Sequence, residues 1–139
     1  MVEDGFFDTV IQNGTIVDGS GDSRFQSDVG IKNNRIQAMG DLSMAKSGRK
    51  INAANRIVAP GFIDVHTHDD RVLLAKPTMD MKISQGVTSV IVGNCGISLA
   101  PLVADNPPPP LDLIAEAGAC RYSTFDQFLQ EVEGAPAAV

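Results

Sequence analysis

The sequence predicts a mixed α/β chain: a small β-sheet domain over residues 1–60, then the beginning of a parallel, helix-covered sheet over 61–139. Two observations carry this. The first sixty residues are short β-rich runs cut by Asn and Gly, with no helical period across them. From Pro60-Gly61 onward a strand, a helix and a second strand follow in about 33 residues, the length of one βαβ unit.

In the first part the apolar-rich segments are FDTVIQ, GTIVDG, SDVGIKN, RIQAMG and RKINAANRIVAP. Asn13-Gly14, Gly19-Ser20-Gly21, Asn33-Asn34 and Gly40-Asp41 punctuate them. Asn33-Asn34 between DVGIK and RIQAM suits a tight hairpin, because Asn tolerates the left-handed backbone such a turn needs.

In the second part FIDV is a mostly apolar run without alternation, which predicts a strand buried on both faces. A helix is expected over Met79 to Gln85, with Thr78 as its cap and Gly86 in the left-handed position after it. VTSVIV, residues 87–92, is the second strand. Beyond Val92 four consecutive prolines at 107–110 exclude helix interior and central strand, so residues 101–112 read as a Pro-rich loop. STFDQFLQEVEG then reads as a helix. Thr124 and Gln127 form a capping box, and Phe125, Phe128, Leu129 and Val132 form one apolar stripe. One βαβ unit closes neither a barrel nor a doubly wound sheet, so the chain is expected to be the N-terminal part of a longer enzyme. A complete small domain is the alternative.

A formal charge of −6 with no cluster of Lys and Arg argues against nucleic acid or an anionic membrane as partner. The acidic start MVEDGFFDTV has no signal-peptide core, and no apolar run reaches the length of a membrane span. A cytoplasmic location with Cys95 and Cys120 as free thiols is the expectation.

The two histidines of the chain stand together in GFIDVHTHDD. Strand periodicity turns Asp64, His66 and His68 to one side and Val65 and Thr67 to the other. They fall at the C-terminal end of the first parallel strand, the end where such sheets place their sites. Two imidazoles so spaced can reach one ion. A pair of structural histidines is the competing reading. Asp69 and Asp70 follow, to orient an imidazole N–H or to face solvent. Cys95 lies past the second strand at the same end, between Gly93 and Gly96, as either a thiolate ligand or a small buried hydrophobe. Cys120 reads as structural.

PGFIDVHTHDD followed by KISQGVTSVIVGNCGISLAPL resembles the N-acyl-D-amino-acid deacylases, the D-aminoacylase branch of the amidohydrolase superfamily. The resemblance runs from about Phe7 to about Val132 and is most specific over 60–102. It implies that residues 1–60 are half of a β-sandwich domain. Residues 61–139 would then be the start of a metal-dependent (β/α)8 TIM barrel, truncated after its first βαβ part. It implies a zinc site, with His66 and His68 at the more exposed metal position and Cys95 at the tightly held one. It implies hydrolysis of the amide bond of an N-acyl-D-amino acid, a small-molecule substrate, to a carboxylic acid and a D-amino acid. The family's two further metal-binding His, its catalytic Asp and its substrate-holding Arg and Tyr would lie outside this chain, which has no His after His68. No catalytic residue is therefore assigned, and the isolated chain is expected to be inactive and prone to self-association. Hydantoinase-like and dihydroorotase-like amidohydrolases are the nearest alternative, and they usually carry a carboxylated Lys where Cys95 stands. A non-catalytic metal-binding or structural fragment is the other.

Overall fold

A computed structural model describes residues 6–139. The chain forms two compact units, one ending at Pro60 and the other beginning at Gly61.

The first unit is a five-stranded sheet. Its strands are β1 (Phe6–Ile16), β2 (Phe25–Lys32), β3 (Arg35–Gly40), β4 (Lys46–Asn52) and the short β5 (Ile57–Val58). The order is β3-β2-β1-β4, with β5 also paired to β1. β1 and β2 are antiparallel, as are β2 and β3, whereas β4 and β5 run parallel to β1. The expected hairpin is present: Asn33 and Asn34 both have positive φ, 51° and 57°, between β2 and β3. Two successive left-handed residues give a turn whose twist matches that of the strands it joins. Among the described residues of this unit, Phe7, Val10, Ile16, Val29 and Ala53 are the buried apolar ones.

The second unit opens on β6 (Phe62–Asp64) and closes its first unit of structure on β7 (Val87–Val90). The two pair in parallel, with Ile63 opposite Ser89 and Asp64 opposite Val90. Gly61 is required at the entrance. A Cβ there would lie 2.0 Å from Thr88 Oγ1, so any side chain would force the strands apart.

Between the strands the structure corrects three expectations. The FIDV strand is not buried on both faces: Phe62 and Ile63 are 66% and 62% exposed, because among the described residues only β7 pairs with β6. Residues after the histidines already form a helix, α1 (Asp70–Ala75), too short for a periodic signal to show in sequence. The expected helix over 79–85 shrinks to α2 (Asp80–Ile83). Thr78 does not cap it. Met79 takes the N-cap position in a left-handed conformation with its side chain fully buried, and the Thr78 hydroxyl lies 3.1 Å from the Asp80 carboxylate instead. Burial of the Met79 side chain outweighs a cap worth about 1 kcal/mol. Gly86 is left-handed, as expected, at φ 80°.

The stretch after Val92 carries more structure than a loop. It contains β8 (Leu102–Val103), which pairs antiparallel with β9 (Arg121–Tyr122), and a 3-10 turn over Leu111–Leu113. It also supplies Leu99, Ala100, Leu111, Ala115 and Cys120 to the core of the second unit, together with Tyr122 and Phe128. These side chains come from turns and two-residue strands, which leave no period to read. The last element is α3 (Phe125–Gly134). Thr124 Oγ1 accepts from the Gln127 N–H at 3.3 Å, and Gln127 Oε1 reaches back to the N–H of Ser123, one residue earlier than an ordinary capping box. Of the expected stripe, Phe128 is buried and Val132 packs against the core, while Phe125 and Leu129 are 49% and 41% exposed. Among the described residues no helix is long and apolar enough to cross a membrane. Both cysteines are free, and Cys120 is buried, which raises its thiol pKa.

Candidate metal centre

The strand proper ends at Asp64, yet pairing with the β7 side continues beyond it. Ile91 donates its N–H to the Asp64 carbonyl at 2.9 Å, and Thr67 donates its N–H to the Ile91 carbonyl at 3.1 Å. The Thr67 hydroxyl donates to the same carbonyl, also at 3.1 Å, and the residue is buried. With Thr67 fixed inward, its neighbours His66 and His68 turn together to the other side. Their rings meet edge to face, with centroids 5.6 Å apart.

Cys95 reaches the same point from the end of β7. His66 Nε2 lies 3.3 Å from Cys95 Sγ. One ligand atom from each of His66, His68 and Cys95 falls within 4.8 Å of the others. The structure thus brings all three sequence-derived ligand candidates together. Cys95 is exposed, which removes the alternative of a buried small hydrophobe.

The donor set suits zinc. Two imidazole nitrogens and one thiolate are borderline-soft ligands, and tetrahedral bonds of about 2.0 Å to nitrogen and 2.3 Å to sulfur set a nitrogen–sulfur edge of about 3.5 Å. The 3.3 Å between His66 and Cys95 is close to that edge. His68 Nδ1 is buried and has no hydrogen-bond partner among the described residues, so the imidazole is not fully satisfied by the chain itself.

The acidic pair behaves differently from both expectations. Neither Asp69 nor Asp70 hydrogen-bonds an imidazole among the described residues, and neither simply faces solvent. Asp69 Oδ2 lies 2.9 Å from Lys82 Nζ, while Asp70 is 1% exposed and accepts from the Gly93 N–H at 3.4 Å. Burial pushes the Asp70 carboxyl above the usual carboxylate range.

Sequence reasoning missed Lys82. Its ammonium, on α2, bridges Asp64 at 2.8 Å and Asp69 at 2.9 Å, the two carboxylates that flank the histidines. The pairing holds the Lys82 ammonium above its ordinary value and the Asp64 carboxyl below its own. The spacing Asp64…Lys82 spans 18 residues and two helices, so no local pattern signals it. Asn94, also missed, donates through Nδ2 to the carbonyls of Thr67 at 3.3 Å and Ile91 at 2.8 Å.

A parallel strand pair thus carries His-X-His after its first strand and Cys95 after its second, with their donor atoms close enough to share a metal site. Residues 49–118 match the amidohydrolase family, and the chain belongs to it. It is 50% identical over 133 residues to the D-aminoacylase of Alcaligenes xylosoxydans xylosoxydans, covering 96% of this chain and 28% of that protein. It superimposes on a solved D-aminoacylase described as having a binuclear metal centre with a TM-score of 0.91, at 50% identity and the same two coverages. The N-acyl-D-glutamate deacylase of Bordetella bronchiseptica, solved with zinc and a phosphonate inhibitor, gives a TM-score of 0.87 at 37% identity over 94% of this chain and 27% of that one. The chain therefore spans little more than a quarter of the length of these relatives.

Proposed function

We propose that this chain is the N-terminal part of a zinc-dependent hydrolase of N-acyl-D-amino acids, releasing a carboxylic acid and a D-amino acid, with His66, His68 and Cys95 as metal ligands. The observation that carries it is the 3.3 Å approach of His66 Nε2 to Cys95 Sγ at the C-terminal end of two parallel strands. Similarity to deacylases of this substrate class over 94–96% of the chain supports the substrate assignment. In this reading β6 and β7 are the first two strands of a (β/α)8 barrel, and the sheet of residues 6–58 is half of a β-sandwich.

Held by these residues, zinc would supply Lewis-acid chemistry, making bound water more acidic and polarising the scissile carbonyl. The chain's own part is to hold the ion. Cys95 would hold the tight position through a charged, polarisable sulfur, and His66 and His68 would hold the more exposed position through ring nitrogens. Lys82 neutralises Asp64 and Asp69, so the carboxylates beside the histidines do not compete with them as ligands. Cys95 also argues against hydantoinase-like or dihydroorotase-like chemistry, since the resemblance implies that those relatives usually keep a carboxylated Lys instead. A cytoplasmic location belongs to the same proposal and is supported by the two free thiols.

Three measurements test it. The coding sequence continuing beyond Val139 should encode two further metal-binding His and a late Asp. Its product should hydrolyse N-acetyl-D-methionine or N-acetyl-D-glutamate with zinc, and not the L enantiomers. The isolated 139-residue chain, with no general base assigned to it, should show no turnover above buffer plus zinc. Zinc-dependent turnover by the short chain, abolished in Cys95→Ala, would overturn the division of the site; a product active only on cyclic amides would return the hydantoinase-like alternative.

A further inference from the structure

We infer that Asn94 is a positioning residue whose side-chain amide holds Cys95 in register with His66 and His68. The inference rests on the metal-site reading above. Two arms meet at the site: one leaves β6 at Asp64 and carries the histidines, the other leaves β7 at Val90 and carries Cys95. The Asn94 amide touches both. Its Nδ2 donates to the carbonyl of Thr67, which belongs to the peptide unit shared with His68, and to the carbonyl of Ile91. These are the two protons a carboxamide nitrogen has to give, one to each arm. The Ile91 carbonyl also accepts from the Thr67 N–H and hydroxyl, so three donors converge on it, with Asn94 the nearest at 2.8 Å.

The restraint falls where the backbone most needs one. Cys95 has φ 59° and ψ 19°, left-handed for a residue with a Cβ. Gly93 and Gly96 on either side are also left-handed, at φ 76° and 69°. A non-glycine residue in that region persists only where its surroundings fix it. The local backbone contributes a 3-10 turn over Asn94–Gly96, with Ile97 N–H donating to the Asn94 carbonyl at 2.9 Å. Two further side-chain links join the arms, the Thr67 hydroxyl to the Ile91 carbonyl at 3.1 Å and the Asp70 carboxylate to the Gly93 N–H at a longer 3.4 Å, but neither involves residue 94 or 95. Without the Asn94 amide, Cys95 is free to relax toward ordinary φ and swing its sulfur away from His66.

Cobalt titration of the 139-residue chain tests this without any turnover, because a thiolate-to-Co2+ charge-transfer absorption reports ligation by cysteine. The chain should show that absorption, and Cys95→Ala should lose it. Asn94→Ala, which removes both donors, and Asn94→Asp, which sets an acceptor-only group against two carbonyls, should each weaken Co2+ binding by about 10-fold or more, the loss ordinary for groups that orient metal ligands. Both should dim the charge-transfer band relative to the d–d bands, which a loss of folding alone does not do. Should Asn94→Ala not fold, Asn94→Ser, with one donor retained, should lie between it and the unaltered chain. Cobalt affinity and band intensity unchanged in a folded Asn94→Ala or Asn94→Ser chain would overturn the role of Asn94. Absence of any Cys95-dependent band in the unaltered chain would instead remove the metal-site reading, and this proposal with it.

Discussion

His66 Nε2 and Cys95 Sγ are 3.3 Å apart although 29 positions separate them in the chain. The parallel pairing of Asp64 with Val90 closes that distance, since each ligand follows its strand by a few residues. Cys95 brings the only anionic donor of the three. Cys95→Ala should therefore cost the chain about 100-fold or more in zinc affinity, at least the upper limit for disturbing groups that merely orient ligands. In the longer enzyme proposed here, His66→Asn should empty or weaken the second metal position and leave the tight ion bound. Zinc per chain after dialysis reads both; full zinc in Cys95→Ala with none in His66→Asn would reverse the assignment.

Lys82 joins the carboxylates on either side of the histidines. Lys82→Met leaves Asp64 and Asp69 facing each other without the cation. The variant should unfold at lower temperature than the unaltered chain, and the difference should shrink in high salt, which screens the partly exposed charges. Equal melting of the two chains at low salt would show that the bridge contributes nothing to the hold on this segment.

Tyr122 is the single tyrosine, so its ionisation can be followed by absorbance without interference. Burial, then the hydrogen bond its hydroxyl donates to Glu131 at 2.9 Å, pushes its pKa up to about 12 from an ordinary value of 10. A raised folded-state pKa means that this contribution to stability is fully present below pH 10 and is lost as pH rises through about 12. The phenolate should therefore appear late in an alkaline titration, together with unfolding of the second unit. A midpoint near 10 in a chain that is still folded would show that Tyr122 is not packed against Phe128. Tyr122→Phe should cost about 1 kcal/mol at pH 7, the worth of one hydrogen bond.

Phe62, Ile63 and Val65 are 66%, 62% and 69% exposed, on and just after a strand that has one partner. Apolar side chains beside an unpaired strand edge drive association. The purified chain should elute as oligomers in size-exclusion chromatography with light scattering, and Phe62→Glu with Ile63→Lys should shift it toward monomer. A monodisperse monomer with a cooperative thermal transition would argue for a self-sufficient domain.

Features that depend on short-range chemistry are legible in the residues alone. Asn33-Asn34 makes its hairpin because two left-handed residues are needed there, Gly86 takes the left-handed position in the turn before β7, and Thr124 caps α3. Alternation after FIDV was enough to set His66 and His68 on one side, because Thr67 between them must turn the opposite way. Contacts that join distant, short or aperiodic segments emerge only in the folded chain. Thr78 lost its cap to the buried Met79, and the core of the second unit was assembled from turns around Leu99, Leu111 and Cys120. The Lys82 bridge and the Asn94 clasp span 18 and 27 positions. Such contacts leave no spacing in the sequence, because their partners become neighbours only once β6 and β7 have paired.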